Sequence, residues 1–229
     1  MTEHTVTAFD DDLRAITGKV VEMGGHAEAL VSRGVKALLK ADRALAQSVI
    51  ADDAILDNLQ FELDERALLV IAKRQPMASD LREVIGSMRI AADLERIGDM
   101  GKNIAKRAGM IDNPISPRKL AGGLEHLTSL ALGQVKDVLD AFVARDAAKA
   151  DRVCEKDDEI DNLYTSLFRE LLTYMMEDPR NITVCTHLLF CAKNMERIGD
   201  HATNIAETVS FMVTGHATLS KHGSRATGG

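Results

Sequence analysis

The same segment occurs twice in this chain. Residues 93–105 read DLERIGDMGKNIA and residues 194–206 read NMERIGDHATNIA, identical at 8 of 13 positions. Upstream, DAILDNL at residues 53–59 corresponds to DDEIDNL at residues 157–163. Because both pairs recur in the same order at nearly the same offset, the chain is an internal duplication, built from two copies of one unit.

Within each copy the apolar residues follow a helical period. Phe9, Leu13, Ile16, Val20 and Met23 are separated by three or four positions, as on one face of a helix. The pattern and its Pro and Gly interruptions predict helices at about 9–30, 42–73, 79–111, 118–144, 146–178 and 179–213. With only 4 prolines and 16 glycines, an all-β fold with many tight turns is disfavoured.

We therefore predict an all-α fold of two tandem, pseudo-symmetric three-helix bundles, six helices in total. The two prolines within residues 113–117 stop a helix and stiffen a link, which places the bundle boundary there. The predicted bundles are residues 1–113 and 114–214. Residues 215–229 are small and polar and predict a flexible tail.

The net charge of −7 disfavours two classes of partner. Nucleic acids and anionic membrane surfaces are bound through clustered Lys and Arg, so we expect neither a nucleic-acid partner nor membrane insertion. The three cysteines include no Cys-x-x-Cys pair, which indicates free thiols in a reducing compartment. The polar N-terminus does not resemble a signal peptide. We expect a cytoplasmic protein.

Each copy carries two pairs of carboxylates spaced four residues apart, one pair on its second helix and one on its third. This spacing places both members of a pair on one helix face. The pairs are Asp53 with Asp57, Glu95 with Asp99, Asp157 with Asp161, and Glu196 with Asp200. On the third helix they lie two residues off the apolar stripe, so we expect outward-facing acidic surfaces, with the four carboxylates of each copy close together.

Like charges at this spacing disfavour a helix by a few tenths of a kcal/mol, and a bound hard cation would remove the repulsion. Oxygen ligands suit magnesium, calcium, manganese or iron. The alternative is a pair of solvated faces with Arg96 and Arg197 as counter-charges. For the repeated Gly98 and Gly199, close approach of a neighbouring helix is favoured over a slot for a cation.

No nucleophile with a neighbouring base, phosphate-binding loop or inward Glu-x-x-His pair is present in the sequence. An enzyme is therefore disfavoured. Two functions stay open at this point: a structural helical adaptor without metal function, and a metal-dependent hydrolase or oxidase.

From about Phe9 to Phe211 the chain resembles the PhoU family of phosphate-transport regulators. The resemblance rests on DLERIGD at residues 93–99, its repeat at 194–200, and PMASDLR at residues 76–82. The second copy departs from the last pattern, with PRNIT at residues 179–183. Any role of the Asp80–Arg82 pair would therefore belong to the first copy alone.

The resemblance implies a pair of three-helix bundles and negative regulation of the phosphate-starvation response. It implies partners in the phosphate ABC transporter and a membrane sensor histidine kinase, and a homodimer. It also implies multinuclear metal binding, with iron, manganese, magnesium or zinc as candidates. The metal-binding residues it implies are Asp53, Asp57, Glu95 and Asp99 in one bundle and Asp157, Asp161, Glu196 and Asp200 in the other.

Overall fold

The structure is a computed structural model that describes residues 2–111, 115 and 118–216. Within these ranges it contains helices and no strand. The helices are α1 (Thr2–Lys40), α2 (Arg43–Arg74), α3 (Ser79–Ala108), α4 (Arg118–Ala144), α5 (Ala147–Glu155), α6 (Asp157–Glu177) and α7 (Ile182–Thr214), with a 3₁₀ turn at Pro179–Asn181. The predicted all-α class and the three-helix plan of each copy are confirmed. Most of the predicted junction at 113–117 and most of the predicted tail lie outside the described residues.

The duplication extends to the turns. Ala41 after α1 and Arg145 after α4 both adopt a left-handed backbone, with φ of 51° and 52°. In each turn the next residue, Asp42 or Asp146, donates its backbone N–H to the carbonyl five positions back, as in a Schellman motif. The same two aspartates then cap the following helix, because each side chain accepts the N–H three residues on. Both copies therefore reverse direction by the same device.

The second copy departs from the prediction of one helix over 146–178. Its second helix is divided at Lys156, whose N–H bonds to the Val153 carbonyl three residues back instead of four. The first turn of α6 then contains Asp157, Asp158 and Glu159, and acidic side chains interact favourably with the positive end of a helix dipole. In the first copy, α2 passes through the equivalent position without a break.

The two bundles share one hydrophobic core. Helix α3 packs against α7 and α1 packs against α4, and a single cluster of buried side chains contains residues of both copies. Leu94 and Ile97 of α3, with Met195 and Ile198 of α7, have no exposed surface. The two copies are therefore layers of one body. No helix among the described residues is both long enough and apolar enough to span a membrane.

Helices α3 and α7 run antiparallel. Asp93 Oδ1 lies 2.8 Å from Nδ1 of His201, and Arg107 near the other end of α3 lies against His187 and 4.0 Å from the ring centre of Phe190. An antiparallel contact between equivalent helices is the arrangement expected at a pseudo-twofold axis.

Glycines let α3 approach its neighbours closely. A Cβ at Gly98 would lie 2.2 Å from Cδ2 of Leu56, and one at Gly101 would lie 2.7 Å from the backbone nitrogen of Val31. Real Cβ atoms do not come so close. At Gly101 the obstacle is the backbone of α1, which excludes a side chain, whereas at Gly98 the end of the Leu56 side chain would have to shift. The predicted role of Gly98 in close helix packing is confirmed.

Candidate functional site

The first acidic cluster consists of Asp53, Asp57, Glu95 and Asp99, on facing sides of α2 and α3. Asp53 is buried, Glu95 and Asp99 are half-buried, and Asp57 is exposed at the rim. The predicted outward orientation concerned Glu95 and Asp99, which keep part of their surface exposed, whereas Asp53 lies inside. The reason is that Asp53 falls on the buried seam of α2, four residues after Val49 and three before Leu56.

Lys102 supplies a cation inside this cluster. Its Nζ donates hydrogen bonds to Oδ2 of Asp53 and Oδ1 of Asp99, each 2.5 Å long. Burial acts to lower the pKa of Lys102, but the bonds with the two carboxylates outweigh it and raise the pKa above its ordinary value. The ammonium therefore stays charged at neutral pH and joins α2 to α3.

The other two carboxylates hold protons more tightly than usual. Loss of hydration and the charge of Asp53 raise the pKa of Asp57, against the opposing effect of Lys102. Burial raises the pKa of Glu95, and the neighbouring Asp99 adds to the rise. One lysine thus does not fully relieve the repulsion among four carboxylates.

The second acidic cluster consists of Asp157, Asp161, Glu196 and Asp200, on α6 and α7. Asp157 is buried because it continues the seam of Ala150 and Val153. Lys193 donates to Oε1 of Glu196 from the solvent side. Burial raises the pKa of Glu196, and its bond with Lys193 opposes that rise.

The interior of the second cluster contains neutral oxygens where the first has Lys102 and Leu30. Thr203 occupies the repeat position of Lys102, and Gln134 that of Leu30. Both side chains are more than nine-tenths buried, and neither Thr203 Oγ1 nor Gln134 Oε1 has a hydrogen-bond partner among the described residues. Buried oxygens of this kind normally have a partner, so a donor or cation is expected here.

Thr203 is unlike other threonines in these helices. Four threonine hydroxyls on helices of the second copy bond to the backbone carbonyl four residues earlier, a common arrangement. They belong to Thr128, Thr173, Thr186 and Thr214. Thr203 does not make this bond, which leaves its oxygen available to a ligand.

Gly199 brings the second-cluster oxygens together. A Cβ at this position would lie 3.4 Å from Oδ1 of Asp157 and 3.5 Å from Oε1 of Gln134. Thr203 and Glu196 lie one turn to either side of Gly199 on the same face of α7. The nearest atom to the same position is Cδ1 of Ile160, at 3.0 Å, so Gly199 lets α6 pack closely and has the oxygens of Asp157 and Gln134 beside it.

No three His, Cys, Asp or Glu side chains among the described residues are placed to hold a metal ion together. A cation in the second cluster would therefore need the neutral oxygens of Gln134 and Thr203 beside a carboxylate, with water completing the shell. Such a set of hard oxygen ligands suits magnesium or manganese. In the first cluster, Lys102 would have to move before a metal could reach Asp53.

Sequence reasoning missed Lys102, Gln134 and Thr203. Comparison of the two copies position by position could have found them, because each differs in chemical type from its counterpart. It also missed the pair of Asp93 and His201, which depends on the packing of α3 against α7.

The sequence model of the PhoU domain matches residues 20–108 and 124–209, once within each copy. The chain belongs to the PhoU family. A relative from Rhizobium meliloti, named a phosphate-specific transport system accessory protein PhoU homolog, is 63% identical over 93% of this chain and 90% of its own length. A relative of the same name from Caulobacter vibrioides is 48% identical over 96% of both chains.

Two solved structures of this family have the same fold. The crystal structure of PhoU from Pseudomonas aeruginosa aligns with a TM-score of 0.85 at 39% identity, covering 91% of this chain and all of its own. The phosphate transport system regulatory protein PhoU from Streptococcus pneumoniae aligns with a TM-score of 0.84 at 28% identity, covering 92% of this chain and 99% of its own.

Proposed function

We propose that this protein is a cytoplasmic negative regulator of the phosphate-starvation response, which couples the phosphate ABC transporter to a membrane sensor histidine kinase. The observation that carries the proposal is family membership along almost the whole chain, together with relatives named as accessory or regulatory proteins of phosphate transport. In this proposal the rigid helical body presents docking surfaces and performs no reaction.

The proposed mechanism uses the acidic clusters as recognition surfaces. With phosphate abundant, the helix faces around the two clusters contact the transporter and the kinase and hold the kinase inactive. A shared core supports this role, because a partner bound to one bundle meets a surface whose position relative to the other bundle is fixed.

Cations are proposed to neutralise the clusters. The second cluster is the stronger candidate, because the oxygens of Gln134 and Thr203 are buried without a hydrogen-bond partner among the described residues. The first cluster, in which Lys102 already neutralises part of the charge, is proposed to bind a cation more weakly. Iron, manganese, magnesium and zinc are the candidates, and the oxygen ligands favour the first three.

Metal content tests this part of the proposal. Wild-type protein dialysed against Mn²⁺ should retain metal detectable by plasma mass spectrometry. Replacing both Glu196 with Gln and Asp200 with Asn should lower the retained amount more than replacing both Glu95 with Gln and Asp99 with Asn. Unchanged stoichiometry in both double variants would show that the acidic residues do not hold the metal.

A reporter assay tests the regulatory role. With this gene deleted from the source bacterium, a phosphate-starvation promoter should be active in abundant phosphate, and the intact gene should silence it again. A promoter that stays silent in the deletion strain would contradict negative regulation.

The same strains separate the two alternatives. Silencing by variants that retain no metal would favour a structural adaptor without metal function. Turnover of phosphate esters by the purified protein, abolished by chelation, would instead favour a metal-dependent hydrolase.

A homodimer is also proposed. Phe61, Leu68 and Leu69 on the outer side of α2 are more than half exposed, and apolar side chains grouped on a surface often mark an interface. Light scattering coupled to gel filtration would give the mass in solution, and a mass of one chain would contradict the dimer.

A further inference from the structure

A small cavity lies where the two bundles meet, away from both acidic clusters. Its walls come from the first turns of α3, the end of α4 and the last turns of α7, and its volume is about 160 Å³. Drug-sized ligands occupy roughly 300–1,000 Å³, while a water molecule takes about 30 Å³. The cavity therefore fits a ligand larger than water and no larger than a small ion or metabolite.

Arg82 lines this cavity and has no partner of its own. Its guanidinium makes no hydrogen bond or ion pair with any residue that the structure describes, and its Nε is fully buried. Gly215, just after α7, lies beside this guanidinium, since a Cβ built there would be 3.5 Å from Cζ of Arg82. A guanidinium stays charged at every physiological pH, and a partly buried charge is costly unless an anion compensates it.

The remaining polar groups of the cavity are two more charges and a hydroxyl. Arg145, held at its left-handed turn position, forms an ion pair with Glu83 across the boundary between the bundles. Ser79, at the start of α3, adds its hydroxyl. Two guanidinium groups and one carboxylate leave one unit of positive charge, so the cavity favours an anion.

We propose that this cavity binds inorganic phosphate. Arg82 and Arg145 are suited to donate charge-assisted hydrogen bonds to its oxygens. Glu83 adds a hydrogen-bond acceptor. Its carboxylate can accept a hydrogen bond from the P–OH group of a protonated phosphate, whereas a fully ionised oxyanion has no proton to donate. Sulfate has no such proton at neutral pH and would be repelled by Glu83. The apolar walls, which include Phe142 and Met212, strengthen the interaction at the partly buried Arg82, whereas Arg145 is 66% exposed and adds mainly charge.

Arg82 belongs to the first copy alone, although α4 and α7 of the second copy complete the cavity. The residue equivalent to Arg82 in the second copy is Thr183, and the PMASDLR segment that contains Arg82 has no counterpart there. The proposal thus gives a role to a segment that the acidic clusters leave unexplained. This ligand site is a separate claim from the regulatory proposal. Phosphate binding is measured on the purified chain, so it can be tested independently of the reporter assay.

Isothermal titration of the full chain with sodium phosphate, and separately with sodium sulfate, tests the site. The wild type should bind phosphate saturably and more tightly than sulfate. Arg82→Gln should weaken phosphate binding roughly tenfold or more, as expected for loss of a charged hydrogen-bonding partner. The matched control is Arg89→Gln on the same helix, because Arg89 is exposed and lies 6.0 Å from the ring centre of Phe211 outside the cavity. This control should bind phosphate as the wild type does.

Glu83→Gln tests selectivity, and it should reduce the preference for phosphate over sulfate. Thermal melting by circular dichroism identifies any variant that fails to fold, and Arg82→Lys, which keeps the charge, should retain more affinity than Arg82→Gln. The proposal is overturned by absence of saturable phosphate binding in the wild type, or by equal phosphate affinity of folded Arg82→Gln and Arg89→Gln. Tighter binding of O-phosphoserine than of inorganic phosphate would also overturn it, because the site would then recognise a phosphate ester.

Discussion

Lys102 and Thr203 occupy the same position in the two copies of the repeat but have opposite surroundings. Lys102 Nζ bonds to two carboxylates, whereas Thr203 Oγ1 is buried without a hydrogen-bond partner among the described residues. The first cluster therefore contains its own cation, and the second contains oxygens that can accept one.

Replacing Lys102 with Met should destabilise the protein by about 2–4 kcal/mol, because Asp53 would be left buried without its counter-charge. The side chains of Lys102 and Asp53 are 21% and 9% exposed, so solvent screens the pair only weakly. The midpoint of urea unfolding should fall accordingly. A midpoint equal to that of the wild type would mean that water compensates Asp53 as well as Lys102 does.

Replacing Thr203 with Val should have the opposite effect on the metal-free protein. The substitution removes a buried hydroxyl that lacks a hydrogen bond, and the free energy of unfolding should rise by about 1 kcal/mol. The same variant should retain less Mn²⁺. A loss of stability in metal-free buffer would indicate that the hydroxyl already has a partner, such as an ordered water.

Gly101→Ala should destabilise the fold by about 1–3 kcal/mol, since the new Cβ would meet the backbone of α1 and that backbone cannot move without repacking. Gly133→Ala on α4 is the matched control. Nothing lies within 4 Å of its added Cβ, so the higher helix propensity of Ala should stabilise the protein by up to about 1 kcal/mol. Both effects can be measured by urea unfolding, and equal values for the two variants would contradict the close contact of α1 with α3.

The stability of the metal-free protein should respond to pH through Glu95. Its pKa in the folded state is raised, so the folded chain binds this proton more tightly than the unfolded chain does. The resulting stabilisation is complete below the unfolded pKa and is lost as the pH rises through the folded pKa. Glu95→Gln should remove this contribution. The difference in unfolding free energy between wild type and Glu95→Gln should therefore change between mildly acidic and neutral pH, with the wild type relatively favoured in acid.

The cysteines should be poor nucleophiles in the folded protein. Burial raises the pKa of Cys191 to about 12, and burial with nearby carboxylates raises that of Cys154 to about 11. Since the thiolate is the reactive form, a disulfide reagent at neutral pH should label the native chain slowly and all three thiols after unfolding. Rapid labelling of Cys191 in the native protein would show that α7 opens locally.

The fold could be predicted from the sequence because two signals agreed. The offset between the copies fixed the number of units, and apolar residues such as Ile97 and Ile198 recur with the helical period. The break at Lys156 was not accessible, since no Pro or Gly marks it and the continuous apolar pattern predicts a single helix.

The candidate site was only partly predictable. Spacing identified the carboxylates that come together, but the exposed face was assigned from α3 alone, so the burial of Asp53 was not predicted. Asp53 belongs to the seam of α2, which its spacing from Val49 and Leu56 could have revealed. The cavity around Arg82 was beyond reach, because it forms from three helices whose contacts depend on how the bundles pack.

The antiparallel contact of α3 with α7 has a consequence for how the two copies evolve. In a dimer of identical chains, every substitution appears on both sides of the twofold axis. Here the two sides are joined covalently, so one half can change while the other keeps its residue, and the shared core still forms. Lys102 of the first copy corresponds to Thr203 of the second, and Arg82 corresponds to Thr183. A symmetric dimer cannot have such differences between its two sides. The two halves of the chain are therefore related as the subunits of a heterodimer are, and each half can bind a different ligand.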